Sequence, residues 1–366
     1  MRNTESSSGG DLRSGFSLLE MLVAMAILSL ITVLLVSALS ATQDTWARTQ
    51  DRIGQFRQAR VAFETAGQRI AEATVNPYWG YDDPEFPKTY ERQSELHFVC
   101  GPSGVLLGNE RIFAGHAIFF QAPFGFGGTL AGDLGGGSLY DGIDNGVNAW
   151  GYWVEFNSDA EEEYAMRPEF LNQGASERAA RQRFRLMEYR LPTETIRLFE
   201  QDGGGIPLLK QVADREELYQ WFSEEETRVK NSNPVAENIL VFGVRSRVPG
   251  LEPAETSIAP NYHYDSRRFQ WSPDSTTLTQ QSRHQVPPVV DLFLVALEEP
   301  SFARYFDRGG EEAVAQIAEF VNSRFQDADQ LESDLAEVEE YLIDLGIQSR
   351  VFETSIAIRA GKWQSE

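Results

Sequence analysis

The sequence predicts an α+β protein. One long N-terminal helix, apolar and then amphipathic, packs on an antiparallel β-sheet domain, with a helical insertion at 311–345 before the last strand. Three observations lead there. From Phe16 to Leu39 the chain holds a single ionisable residue, Glu20, among Leu, Met, Val, Ala, Ile, Ser and Thr. No proline occurs before Pro77, and apolar residues recur at helical steps well past Leu39. After Tyr78 the pattern changes to short runs rich in Val, Ile, Phe and Tyr, separated by Gly, Pro, Asn and Asp clusters.

In chain order, residues 1–15 are rich in Ser and Gly, lack apolar periodicity, and read as a cytoplasmic leader. Arg2 and Arg13 precede the apolar run and no Lys or Arg follows until Arg48, which favours an N-terminus kept inside the cell. Residues 16–39, at about 1.5 Å each, make roughly 36 Å of helix, enough to cross a hydrocarbon core of about 30 Å. A carboxylate in such a span costs about 2–3 kcal/mol near the bilayer centre, so Glu20 needs a partner or a use. A secretory signal peptide cut near Ala38 or Ala41 would have a shorter apolar core, and an ordinary single-span anchor would leave Glu20 an accident.

Residues 40–76 continue the helix amphipathically. Trp46, Ile53, Phe56, Ala59, Phe63, Ala66, Ile70 and Ala73 recur at mostly three- and four-residue steps, while Arg48, Asp51, Arg52, Arg57, Arg60, Glu64 and Arg69 lie elsewhere, and Asn76-Pro77 is the expected stop near residue 75. The remainder, 77–366, is the expected globular domain. Its candidate strands are 95–100, 112–121, 151–157, 184–191, 239–248, 288–297 and 351–359. The stretch 125–146, with nine glycines, reads as an irregular excursion. Segment 311–345 carries two apolar stripes, with a break expected near 327–329 and Gly346 as a natural C-cap. Its acidic face is either a solvated cover over the sheet or a docking face for another subunit.

The formal charge is −23. In 1–15, Arg2 and Arg13 balance Glu5 and Asp11, so removing that segment leaves the charge unchanged. Such a surface repels a phosphate backbone, which argues against nucleic acid as a partner. Cys100 is the only cysteine, so no intrachain disulfide forms, and its place at the end of a strand-like run reads as a buried small apolar residue. His97, His116, His263 and His284 are scattered without ligand spacing. No Gly-x-Ser-x-Gly elbow or Gly-Lys-Ser/Thr phosphate loop occurs, so neither a catalytic residue nor a cofactor is expected. One cluster offers oxygens for calcium: Asp141, Asp144 and Asn145 in the Gly-rich stretch. Asp-Gly and Asn-Gly are equally ordinary turn formers, and the spacing is not that of a twelve-residue calcium loop.

The stretch Gly15-Phe16-Ser17-Leu18-Leu19-Glu20, opening a long apolar helix, resembles the N-terminus of type IV prepilins and of the pseudopilins of type II secretion systems. That resemblance implies cleavage between Gly15 and Phe16 by a prepilin peptidase, N-methylation of Phe16, and a role for Glu20 in assembly with other pilin-like subunits. It also implies residence in the inner membrane, in contact with its lipid, with the C-terminal domain in the periplasm and later in a fibre. Arg60-Val61-Ala62-Phe63-Glu64, Asn238-Ile239-Leu240-Val241-Phe242-Gly243-Val244 and Val286-Pro287-Pro288-Val289-Val290-Asp291-Leu292 resemble the J-type minor pseudopilins. Gly151-Tyr152-Trp153-Val154-Glu155-Phe156, Arg183-Phe184-Arg185-Leu186-Met187-Glu188 and the ending from Arg350 through Trp363 resemble the Verru_Chthon cassette protein C group. The expected function is a minor pseudopilin, a structural subunit and not an enzyme. The alternatives are a tethered extracytoplasmic enzyme or ligand-binding domain on a pilin-like anchor, and a major pilin.

Overall fold

A computed structural model describes residues 17–81, 86–125, 146–160, 180–193, 196, 221–248, 258–267 and 283–361. The chain forms two compact units, Met1–Gly54 and Gln55–Glu366, and helix α1 (Leu18–Ile70) contributes to both. The first unit consists, in its described part, of that helix. Its apolar segment Leu18–Ser40 has a mean hydropathy of 2.7 and is not buried at all.

The second unit is built on antiparallel sheets, as the sequence predicts. Six strands lie in the order β7-β6-β5-β4-β3-β9: Ser232–Glu237, Gln182–Leu191, Asn148–Ser158, Phe113–Ala122, Val99–Pro102 and Tyr264–Asp265. Three more lie in the order β11-β10-β8: Ser349–Ala357, Val289–Leu297 and Ile239–Arg247. A separate hairpin pairs β1 (Tyr78–Tyr81) with β2 (Tyr90–Gln93). The two larger sheets meet where β4 approaches β8. There β4 has a bulge between Ala114 and Ile118, and Gly115 sits at φ 71° with its α-carbon so near β8 that a Cβ would lie 2.7 Å from the Phe242 carbonyl. Only glycine satisfies both the positive φ and the close approach. On β8, Gly243 leaves room for the Phe293 ring, which lies across it from β10.

Residues 59–70 of α1 close one side of this core. Ala59, Phe63, Ala66 and Ile70 are buried, and Phe63 faces Phe352 of β11 with ring centroids 6.5 Å apart. Gly67 approaches Leu292 and Ile356 closely enough that a Cβ would touch both at 3.7–3.8 Å. Arg69 crosses to the six-stranded sheet, pairing with buried Glu188 and lying 4.4 Å over the Trp150 ring. From Ala59 to Ile70 the apolar stripe read from the sequence is the packed face, whereas Trp46, assigned to the same stripe, is exposed.

The helix ends earlier than expected. It stops at Ile70, followed by a turn through Glu72, because tertiary hydrogen bonds take over its last backbone groups. Ala71 O accepts from Arg359 N–H, and Thr74 N–H donates to Gln121 O of β4. Ala73 is buried as predicted, on backbone that has left the helix. Residues 95–98 of the first candidate strand likewise do not pair. Side chains satisfy their amides instead: Leu96, His97 and Phe98 N–H donate to Ser94 Oγ, Gln121 Oε1 and Ser266 Oγ.

The C-terminal helical segment begins at Glu299, twelve residues before the expected start. Pro300 occupies the first turn, where its missing N–H does no harm, and the helix is kinked at Gly310, which sits at φ 61°. The added turns pack Phe302 on Phe184 and Phe306 on Phe156. Among the described residues this helix, Glu299–Arg324, follows two short ones, α2 (Ser103–Leu107) and α3 (Glu225–Lys230), and is labelled α4. A 3₁₀ turn at Ala328–Gln330 separates it from α5 (Leu331–Asp344), where a break was expected. Gly346 caps α5 at φ 72°: its N–H donates to Ile343 O and that of Ile347 to Leu342 O, a Schellman motif.

Candidate functional site

The first turn of α1 is the candidate. Ser17 stands just outside the helix as N-cap, and Glu20 N–H donates to Ser17 Oγ at 3.2 Å. Ser17-Leu18-Leu19-Glu20 thus has the Ser-x-x-Glu spacing of a capping box, a signal carried by the local sequence alone. It places the Glu20 carboxylate at the third helical position, where the positive end of the helix dipole favours an anion. Glu20 therefore has a local electrostatic role as well as any partner it meets.

Downstream, two polar side chains of the apolar segment bond within the helix. Ser29 Oγ donates to Ala26 O at 2.9 Å and Thr32 Oγ1 to Leu28 O at 2.8 Å, so neither needs water. Glu20 remains the one ionisable group from Leu18 to Leu39. Around it every large apolar side chain is exposed, from Leu18 at 79% to Leu39 at 53%. Leaving these fifteen side chains in water would cost on the order of 20 kcal/mol at about 25 cal/mol per Å². An exposed apolar surface of this extent is of the kind that lipid or other protein covers. Gly15, Phe16, Asp141, Asp144 and Asn145 lie outside the described residues.

The remaining sequence candidates are structural. Cys100 is buried beside Ser246 Oγ, 3.6 Å away, and burial pushes its thiol up to about 12, which makes it inert. His97 Nε2 bonds Asp265 Oδ1 at 2.8 Å while its Nδ1 accepts from Trp221 Nε1 at 3.3 Å, so both ring nitrogens serve the fold. His116 Nδ1 accepts from Val244 N–H at 3.1 Å, and burial draws its pKa down to about 4. Among the described residues, no three His, Cys, Asp or Glu side chains converge to hold a metal.

Residues 17–76 match the family model of the Competence system putative prepilin ComGE. No curated protein and no solved structure matches the chain. The match covers the apolar helix, its amphipathic continuation and the exit turn, and the N-terminal region of this chain is pilin-like.

Proposed function

We propose that this chain is the precursor of a minor pseudopilin, a structural subunit of a type II secretion or type IV pilus-like fibre. The observation that carries this is a pilin-like N-terminal region whose exposed apolar helix contains one charge, Glu20, in its first turn. Residues 1–15 are the cytoplasmic leader, 16–39 the membrane and fibre-core helix, 40–76 its amphipathic continuation, and 77–366 the periplasmic domain. A prepilin peptidase cuts between Gly15 and Phe16, and the new amino group is methylated, which keeps its positive charge.

Glu20 then meets the Phe16 ammonium of a neighbouring subunit. In the low dielectric of lipid or a helical fibre core, each charge offsets the burial of the other, and the pairing sets the axial stagger. Head-to-tail contacts of this kind propagate open helical arrays. Likeness to J-type pseudopilins and to the Verru_Chthon cassette protein C group supports a minor role over a major one.

Mass spectrometry of the membrane-extracted protein tests this: the mature chain is expected to begin at N-methyl-Phe16. Glu20→Gln is expected to be cleaved normally and to enter fibres at least ten-fold less. A chain retaining Met1 to Gly15 in cells that hold the peptidase, or unimpaired incorporation of Glu20→Gln, would refute the proposal.

A further inference from the structure

Sheet edges are where a protein invites or refuses another strand, and native folds blunt the edges they do not use. Three edges of the two larger sheets are blunted here. The β7 edge is six residues long, contains Pro234, which has no N–H to offer, and shifts register at its partner's Leu186. At the opposite end β9 has two residues. The outer side of β8 is occupied: Val244 N–H donates to His116 Nδ1, Ser246 O accepts from Ile258 N–H, and the β4 bulge abuts Phe242.

The β11 edge is different. It runs nine residues, Ser349–Ala357, in unbroken register with β10, with no bulge and no proline. It is the edge strand, so no described strand pairs with its other side, and its backbone bonds no described residue outside the ladder. Arg350, Glu353, Thr354, Ser355 and Ala357 are exposed. Among the described residues Glu353 has no ion pair, and Arg350 lies over the rings of Phe56 and Phe352.

We infer that β11 accepts an extended segment of another protein by strand addition. Backbone hydrogen bonds would supply the affinity, and alternate side chains the choice of partner. The charges on β11 specify what fits. In an antiparallel pair, a basic residue opposite Glu353 and an acidic one three positions further on, opposite Arg350, satisfy both. A second copy of β11 fits poorly. Two-fold antiparallel self-pairing over the whole strand sets Glu353 against Glu353, and the period of two forbids any register that places Arg350 opposite Glu353 on one face. This surface is independent of the assembly role of Glu20 and stands or falls separately.

The test uses the full chain in detergent and the nonapeptide Thr-Val-Thr-Lys-Val-Thr-Glu-Val-Thr, amidated and acetylated, beside its Lys/Glu-exchanged twin. Hydrogen exchange is expected to show peptide-dependent protection of amides within 349–357. The first peptide should bind at least five-fold tighter than the twin, and Glu353→Lys, an exposed change, should reverse or abolish that preference. No protection at β11 with millimolar peptide, or equal affinity for the twins, would overturn the inference. Protection that grows with protein concentration alone would also overturn it, by making the occupant a second copy.

Discussion

Replacing Arg69 by Met probes the junction of the N-terminal helix with the sheet domain. Arg69 sits one residue before the end of α1, and its guanidinium pairs with Glu188, a carboxylate only 5% exposed on β6. Tyr152 Oη donates to the same carboxylate at 2.7 Å, and Arg190 Nε lies 3.4 Å from its other oxygen. Deleting one partner of a buried pair costs about 3–5 kcal/mol when the other charge is stranded. Here Arg190 and Tyr152 remain, so roughly half of that is expected, with about 0.5–1 kcal/mol more for the lost cation–π contact to Trp150. The loss should total about 2–3 kcal/mol; methionine keeps the helix propensity and much of the stem's packing, so the effect reports the charge. Denaturant titration of the detergent-solubilised chain, followed by tryptophan fluorescence, measures it, since Trp150 lies beside the substitution. Adding Glu188→Gln should restore at least 1 kcal/mol, because the stranded charge is then gone. A loss below about 0.5 kcal/mol, or strict additivity of the two changes, would show that the pair does not hold helix to sheet.

Other expectations follow from the core. Gly243→Ala puts a Cβ 1.8 Å from the Phe293 ring, which Phe325 backs at 5.0 Å, so a loss of about 3 kcal/mol or more is expected as reduced abundance and melting temperature; a near-neutral result would refute the packing. His116 is held neutral, with its pKa lowered from 6.5 to about 4, so its contribution is complete above about pH 6.5 and declines as pH falls toward 4, by up to about 3 kcal/mol. His284 acts in the same direction, and a melting temperature unchanged from pH 7.5 to 5 would contradict both. Asp334 opposes them: burial raises its carboxyl from 3.8 to about 6, and its Oδ2 has no hydrogen-bond partner among the described residues. Asp334→Asn should therefore stabilise the protein by about 1–2 kcal/mol at pH 7.5, with the gain fading by about pH 4; a destabilised variant at pH 7.5 would refute this.

The candidate site was largely legible in the chain because its chemistry is local. An apolar run of membrane length, a solitary Glu20 and the Ser17 cap all lie within a few helical turns, and helix periodicity also marked the buried face from Ala59 to Ile70. Capping at Gly346 was legible for the same reason, since only the preceding turn of helix is involved. The sequence by itself thus determined the course of the long N-terminal helix, the apolar face of its second half and the position of the one charge in its apolar run, but not the short helices Ser103–Leu107 and Glu225–Lys230 or the start of α4 at Glu299. What only the tertiary structure decided involves partners far apart in the chain. Ile70 ends the helix because Arg359 and Gln121 claim the backbone beyond it, and 95–98 is not a strand because Gln121 and Ser266 take its amides. The pairing of β11 with β10, the closure of β8 by His116, and the open outer edge that remains come from contacts between residues tens to hundreds of positions apart, which no local pattern encodes.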